Sequence, residues 1–161
     1  MSHFDTIQNN KKGIYFGSIT GMVTTLSVII GLSLQNATTN IIIASVLLFS
    51  ISDGLAESFG MFLSGHSSNQ KDKIMSDRIT DAVTLFFSKL FMGLIIVLPF
   101  FILNSDNQLP LLLSNVIGFI LLSIISITQS YSIQDFTIKF SIYTFITILI
   151  VIISIWVGFI V

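Results

Sequence analysis

NIIIASVLLFSISDGLAESFGMFLSG, residues 40–65, decides how this chain folds. The stretch exceeds the roughly 20 residues that a helix needs to cross the hydrocarbon core of a bilayer. Its second half nevertheless carries two carboxylates, Asp53 and Glu57, where lipid would surround them. An Asp near the centre of a spanning helix costs roughly 2.5–3.5 kcal/mol, and each Ile, Leu, Phe or Val returns about 0.3–0.6. Two acids therefore cost on the order of 6 kcal/mol, and the apolar residues from Ile41 to Leu63 return about the same. Alone, the segment is close to break-even. It needs neighbouring helices, with its acids turned to a protein interior or a water-filled cavity.

The rest of the sequence places those neighbours in a membrane. Of 161 residues, 53% are hydrophobic and 9% charged, with a mean hydropathy of +0.94. Soluble domains carry about 25% charged residues, so this chain cannot clothe a water-facing surface. The expected class is all-α, a single five-helix transmembrane domain over residues 1–161. Spans are expected near 14–34, 40–65, 81–103, 109–131 and 137–161, the fourth and fifth almost continuous in hydropathy around SYSIQD. The polar start MSHFDTIQNNKK lacks the features of a cleaved signal peptide, so the first span is expected to be retained. Lys11, Lys12, Lys71, Lys73, Arg78 and Lys139 fall in alternate connections, and QNATTN and NSDNQ have no Lys or Arg. By the positive-inside rule the N-terminus is cytoplasmic and the C-terminus outside. The polar stretch 66–80 reads as a solvated turn or the extension of a long helix. There Asp72, Asp77 and Asp81 lie beside Lys71, Lys73 and Arg78 and neutralise one another more simply than they gather metal.

Several function classes drop out. A net charge of −1 gives no reason to expect a nucleic-acid partner, and zero cysteines exclude disulfides and thiol chemistry. The two histidines, His3 and His66, lie outside the spans, and no hydrolase spacing is present, so no enzyme is expected. What remains is the second span. Asp53, Glu57 and Met61 stand at i, i+4 and i+8, one stripe of a helix. Two carboxylates and a thioether form a ligand ladder for a divalent cation, the sulfur favouring softer transition metals. Thr20 and Thr24 offer hydroxyl oxygens from span one, and Thr20 can share a level with Glu57. One base also lies within a span. Lys89 sits at a depth from which it can face Glu57 or Asp53 as a counter-ion, the alternative being a lysine that snorkels to the interface. Gly13, Gly17 and Gly21 recur every fourth residue of span one, a ridge that lets helix backbones approach closely.

YFGSITGMVTTLSVIIGL (15–32) followed by SDGLAESFGMFLSG (52–65) resembles the vacuolar iron transporter family, including its nodulin-like branch. In the third span MGLIIVLPFFIL (92–103) is similar to the family's Gly-Leu-Ile-Pro-Leu-Leu-Pro-Tyr segment through Gly93 and Pro99, and SIWVGFIV to its closing element through Gly158. The resemblance implies five membrane helices, a homodimer, and export of Fe²⁺ or Mn²⁺ from the cytosol in exchange for protons. No tightly bound cofactor is implied. Asp53, Glu57 and Met61 would hold the ion with help from Thr20, and Glu57 or Asp53 would carry the proton. Gly93 and Pro99 would join the glycine ridge as packing positions. Thr20 stands where the family has an acid, Met61 where it has its Glu, and Asp53 is an addition. Residues 66–80 are too short for the carboxylate-rich cytoplasmic domain of many members, which the nodulin-like branch also lacks. The competing expectation is a relative that does not transport, a membrane scaffold whose acids are neutralised by Lys89.

Overall fold

The computed structural model describes residues 11–67, 75–103, 108–130 and 132–160. They form five helices: α1 (Lys11–Leu34), α2 (Thr39–Ser67), α3 (Met75–Ile102), α4 (Gln108–Thr128) and α5 (Ile133–Ile160). Each is long and apolar enough to cross a membrane. The outer surface is correspondingly greasy, with Leu48, Phe145, Trp156 and Ile102 all more than three-fifths exposed. The chain is an all-helical, multi-pass integral membrane protein whose exterior contacts lipid. Backbone polar groups, which find no water in the bilayer core, are satisfied within the helices.

Local chemistry sets the helix ends. After α1 the amide of Ala37 donates to the Leu32 carbonyl at 3.0 Å, and that of Asn36 to Ser33 at 3.1 Å. This paired closure needs a left-handed residue, and Asn36 supplies it at φ 55° in the place usually taken by glycine. The Thr38 carbonyl then accepts from Ile42, opening α2 as an N-cap residue does. Two starts lie earlier than hydropathy indicates. Helix α3 begins at Met75 and α5 at Ile133, because polar first turns suit a helix start that apolar counting passes over. Asp77 and Asp135 stand in those first turns, where a negative charge faces the positive end of the helix dipole. In α5 the Ser132 hydroxyl also accepts from the Asp135 amide at 3.2 Å.

The break between α4 and α5, weak in hydropathy, is built from side chains. Lys139 Nζ donates to the Gln129 carbonyl and to Asp135, both at 2.7 Å. Tyr143 donates to the Gln129 side chain at 2.7 Å, and Tyr15 of α1 donates to the Thr128 carbonyl at 3.3 Å. Carbonyls that the end of α4 leaves without helical partners are thus taken up by a cation and a phenol.

Helix α1 is the hub and α5 the periphery, the most and the least buried of the five spans. The apolar core gathers Met22, Leu26 and Ile29 of α1, Ile42 and Val46 of α2, Ile96, Val97 and Phe100 of α3, and Leu122 and Ile125 of α4. The other half of the α1–α3 contact has no large side chains between the helices. Gly13, Gly17 and Gly21 lie against Asp81, Leu85 and Lys89 in that order, so the two helices run parallel, backbone on backbone. A Cβ at Gly13 or Gly17 would run into the carbonyl oxygen of Asp81 or Leu85, and one at Gly21 would lie 2.9 Å from Lys89 Cα. Gly93 plays the same part toward Ser50 of α2 and Thr25 of α1. Pro99 is buried inside α3, which continues through it to Ile102. Ser114 of α4 closes the α3 side by donating to the Ile96 carbonyl at 2.7 Å.

A side chain added within the ridge must push two helices apart, and overpacking of this kind costs about 1–3 kcal/mol. Gly17→Val is expected to lower the thermal unfolding midpoint of the detergent-purified protein. Gly31→Ala, whose Cβ would meet nothing within 4 Å, is expected to leave it within about 0.5 kcal/mol of the parent.

Candidate functional site

Where the glycine ridge gives way to the apolar core, three helices bring their polar side chains to one point. Lys89 occupies the middle of α3, about 20 Å of helix from either end at 1.5 Å per residue. It is wholly buried, at 0% exposure. A lysine so enclosed does not extend toward a surface, so it is not a snorkelling side chain.

The ammonium is held by both acids of α2. Lys89 Nζ donates to Asp53 Oδ2 and lies 2.8 Å from Glu57 Oε2. One turn of α2 separates the two carboxylates, and the lysine enters between them from the neighbouring antiparallel helix. Thr20 of α1 completes the group, its Oγ1 lying 3.0 Å from Glu57 Oε2. The same hydroxyl is also 3.0 Å from the Phe16 carbonyl. One proton with two acceptors gives Thr20 two settings. It donates to Glu57 when that side chain is ionised, or accepts from a protonated Glu57 while donating to Phe16. The site is thus hydrogen-bonded in either state of the acid.

Small residues make the room. The lysine stem passes α1 at Gly21, where a Cβ would lie 3.0 Å from Lys89 Cγ. It passes α2 at Gly54, where a Cβ would lie 3.8 Å from Lys89 Cδ and 3.2 Å from the Phe86 ring. Gly21 stood out in the sequence for its period. Gly54 had no such signal, because what it accommodates comes from another helix.

Charge is the distinctive property of the arrangement. Two carboxylates share one ammonium, which leaves one negative charge unmatched when both acids are ionised. Their side chains are 28% and 26% exposed, while the lysine has no exposure. The acids therefore keep open edges that the lysine does not cover. Beside them on α2 runs an exposed line of small residues, Ser52, Ala56, Gly60 and Ser64.

Of the residues singled out from sequence, Asp53, Glu57, Lys89 and Thr20 come together. Met61 continues the stripe one turn beyond Glu57, partly buried and outside this hydrogen-bonded set. Among the described residues, no three His, Cys, Asp or Glu side chains converge as a metal-ligand group. The anionic donors are the two carboxylates alone. Asp81 is 4% exposed and packed against α1, so it does not sit at an open mouth. His3, Lys71, Asp72 and Lys73 lie outside the described residues. Compared with protein-family models, with curated proteins and with solved structures, the chain gives no match.

Removing one partner of a buried ion pair costs about 3–5 kcal/mol, because it strands the other charge. Lys89→Met is therefore expected to destabilise the protein, toward the lower figure given the partial exposure of the acids. Adding Asp53→Asn and Glu57→Gln to Lys89→Met is expected to restore most of the loss. Thermal unfolding of the single and triple variants measures both.

Proposed function

We propose that this protein is a divalent transition-metal transporter, carrying Fe²⁺ or Mn²⁺ out of the cytosol in exchange for protons. One observation carries the reading: two intramembrane carboxylates, partly open, hold only one fixed cation between them. A buried ionisable group in a membrane span is expensive and marks ion pathways and proton relays. A structural pair would need one acid for one lysine, whereas the second acid supplies charge that a mobile cation can neutralise. Asp53 and Glu57 bind the ion, Thr20 adds a neutral oxygen, and Met61 offers a soft donor one turn away on the same stripe. The paired hydrogen bonds of Thr20 suit Glu57 to taking up and releasing the exchanged proton. Iron or manganese as cargo follows from the motif resemblance. In this reading the N-terminus is cytoplasmic, following the distribution of Lys and Arg.

The working unit is a homodimer. Acids left open at the middle of a span require cover from lipid, and the small-residue line Ser52, Ala56, Gly60 and Ser64 beside them admits a second α2 at close range. A second copy seated there shields both sets of acids, and the ion path follows the shared seam.

A competing reading has its own support. Lys89 reaches both acids with no exposure of its own, which suits a non-transporting membrane scaffold whose charges are internally neutralised. No catalytic role is proposed under either reading.

Metal uptake separates them. Proteoliposomes of the wild-type protein are expected to show Mn²⁺- or Fe²⁺-dependent flux, and Asp53→Asn with Glu57→Gln to reduce it by at least about tenfold, or 1.4 kcal/mol. Flux unchanged in the double variant removes the acids from the pathway, and no flux in either favours the scaffold. The chain contains no cysteine, so Ala56→Cys provides a clean dimer test: oxidation in membranes is expected to yield a disulfide-linked pair.

A further inference from the structure

We propose that Lys89 is a tethered stand-in for the transported ion, seated between Asp53 and Glu57 when the site is empty and displaced when a divalent cation enters. This rests on the reading of the two acids as a cation site and adds what controls its occupancy. Three observations carry it. The ammonium reaches both carboxylates at once, which is the position a shared metal ion would take. The acids keep open edges while the lysine has none. A cation arriving at the open edges and the lysine of α3 thus compete for the same two carboxylates. Finally, the stem lies against glycines on both flanking helices, Gly21 and Gly54.

Charge then decides between the two occupants. With lysine seated, two carboxylates and one ammonium leave a single negative charge. A divalent ion in the same seat leaves the acids neutral, and an ammonium still beside it would add like-charge repulsion in a poorly screened setting. The ion and the lysine therefore exclude one another. Two consequences follow. Lysine occupancy lowers the apparent affinity by the fraction of time the seat is free. It also spares the empty carrier from exposing two unpaired carboxylates as it resets.

Direct binding of Mn²⁺, the probe metal, tests this on the detergent-purified full chain. Lys89→Met is expected to bind Mn²⁺ about tenfold or more tightly than wild type, since the competing ammonium is gone. Lys89→Arg, which keeps the charge, is expected to remain weak. A second measurement needs no variant: acylation of Lys89 by a membrane-permeant amine reagent, read by peptide mass spectrometry, is expected to rise when Mn²⁺ drives the lysine from its seat. Equal Mn²⁺ affinity in wild type and Lys89→Met, or acylation unchanged or suppressed by bound Mn²⁺, overturns the stand-in role and leaves the cation site intact. If neither protein binds Mn²⁺ while both unfold cooperatively, the cation-site reading itself falls. If Lys89→Met does not fold, the acylation of wild type decides.

Discussion

One ammonium shared by two carboxylates at mid-membrane is the constraint around which this bundle is arranged. The acids of α2 are too costly to leave to lipid and the lysine of α3 is too deep to reach water, so each needs the other helix. Their meeting fixes the rotation of both helices about their axes and their relative height. The glycine ridge of α1 is the steric counterpart. It draws α1 onto α3 and leaves the Lys89 stem a narrow lane, so Thr20 arrives at Glu57 as the third member of the group. The large apolar side chains collect beyond this level, from Met22 and Val46 toward Phe100. The bundle therefore has a polar knot between a tight backbone contact and a conventional core.

Much of this could be read from residue order. Five apolar runs divided by polar connections foretell five helices. The i, i+4 spacing of Asp53 and Glu57 puts them on one face, and Lys89, as the lone base well inside a span, had few possible partners. What could not be read depends on long-range geometry or local capping. Hydropathy counts polar residues as loop, yet Asp77 and Asp135 belong to first helical turns because the helix dipole favours them there. The glycine ridge was visible, but not that its partner is the parallel helix α3. Nor does spacing tell whether Lys89 meets one acid or both, since that depends on two backbones passing at Gly21 and Gly54. Met61 shows the limit of the stripe argument. Shared azimuth on a helix does not place a side chain at the height where a neighbouring helix delivers its partner.

The packing gradient from α1 to α5 separates the charged group from the periphery of the bundle. Helices α1, α2 and α3 hold every member of the charged group, and α4 locks α3 from behind through Ser114. Helix α5 is the least buried of the five, held at its start by Lys139 and Tyr143 and lying against Leu34 of α1 at Gly158 near its end.

The near break-even hydropathy of α2 carries a consequence for biogenesis. During synthesis α2 emerges from the ribosome before Lys89 does, so its carboxylates first meet the insertion machinery without their cation. The segment has little reason to partition into lipid until α3 arrives, and the two must enter as a helical hairpin, with α1 waiting alongside. A chain interrupted between them would present a half-finished span with exposed acids, the kind of signal by which membrane quality control recognises an orphan. The same two residues that hold Lys89 in the folded protein also set the order in which it can be built.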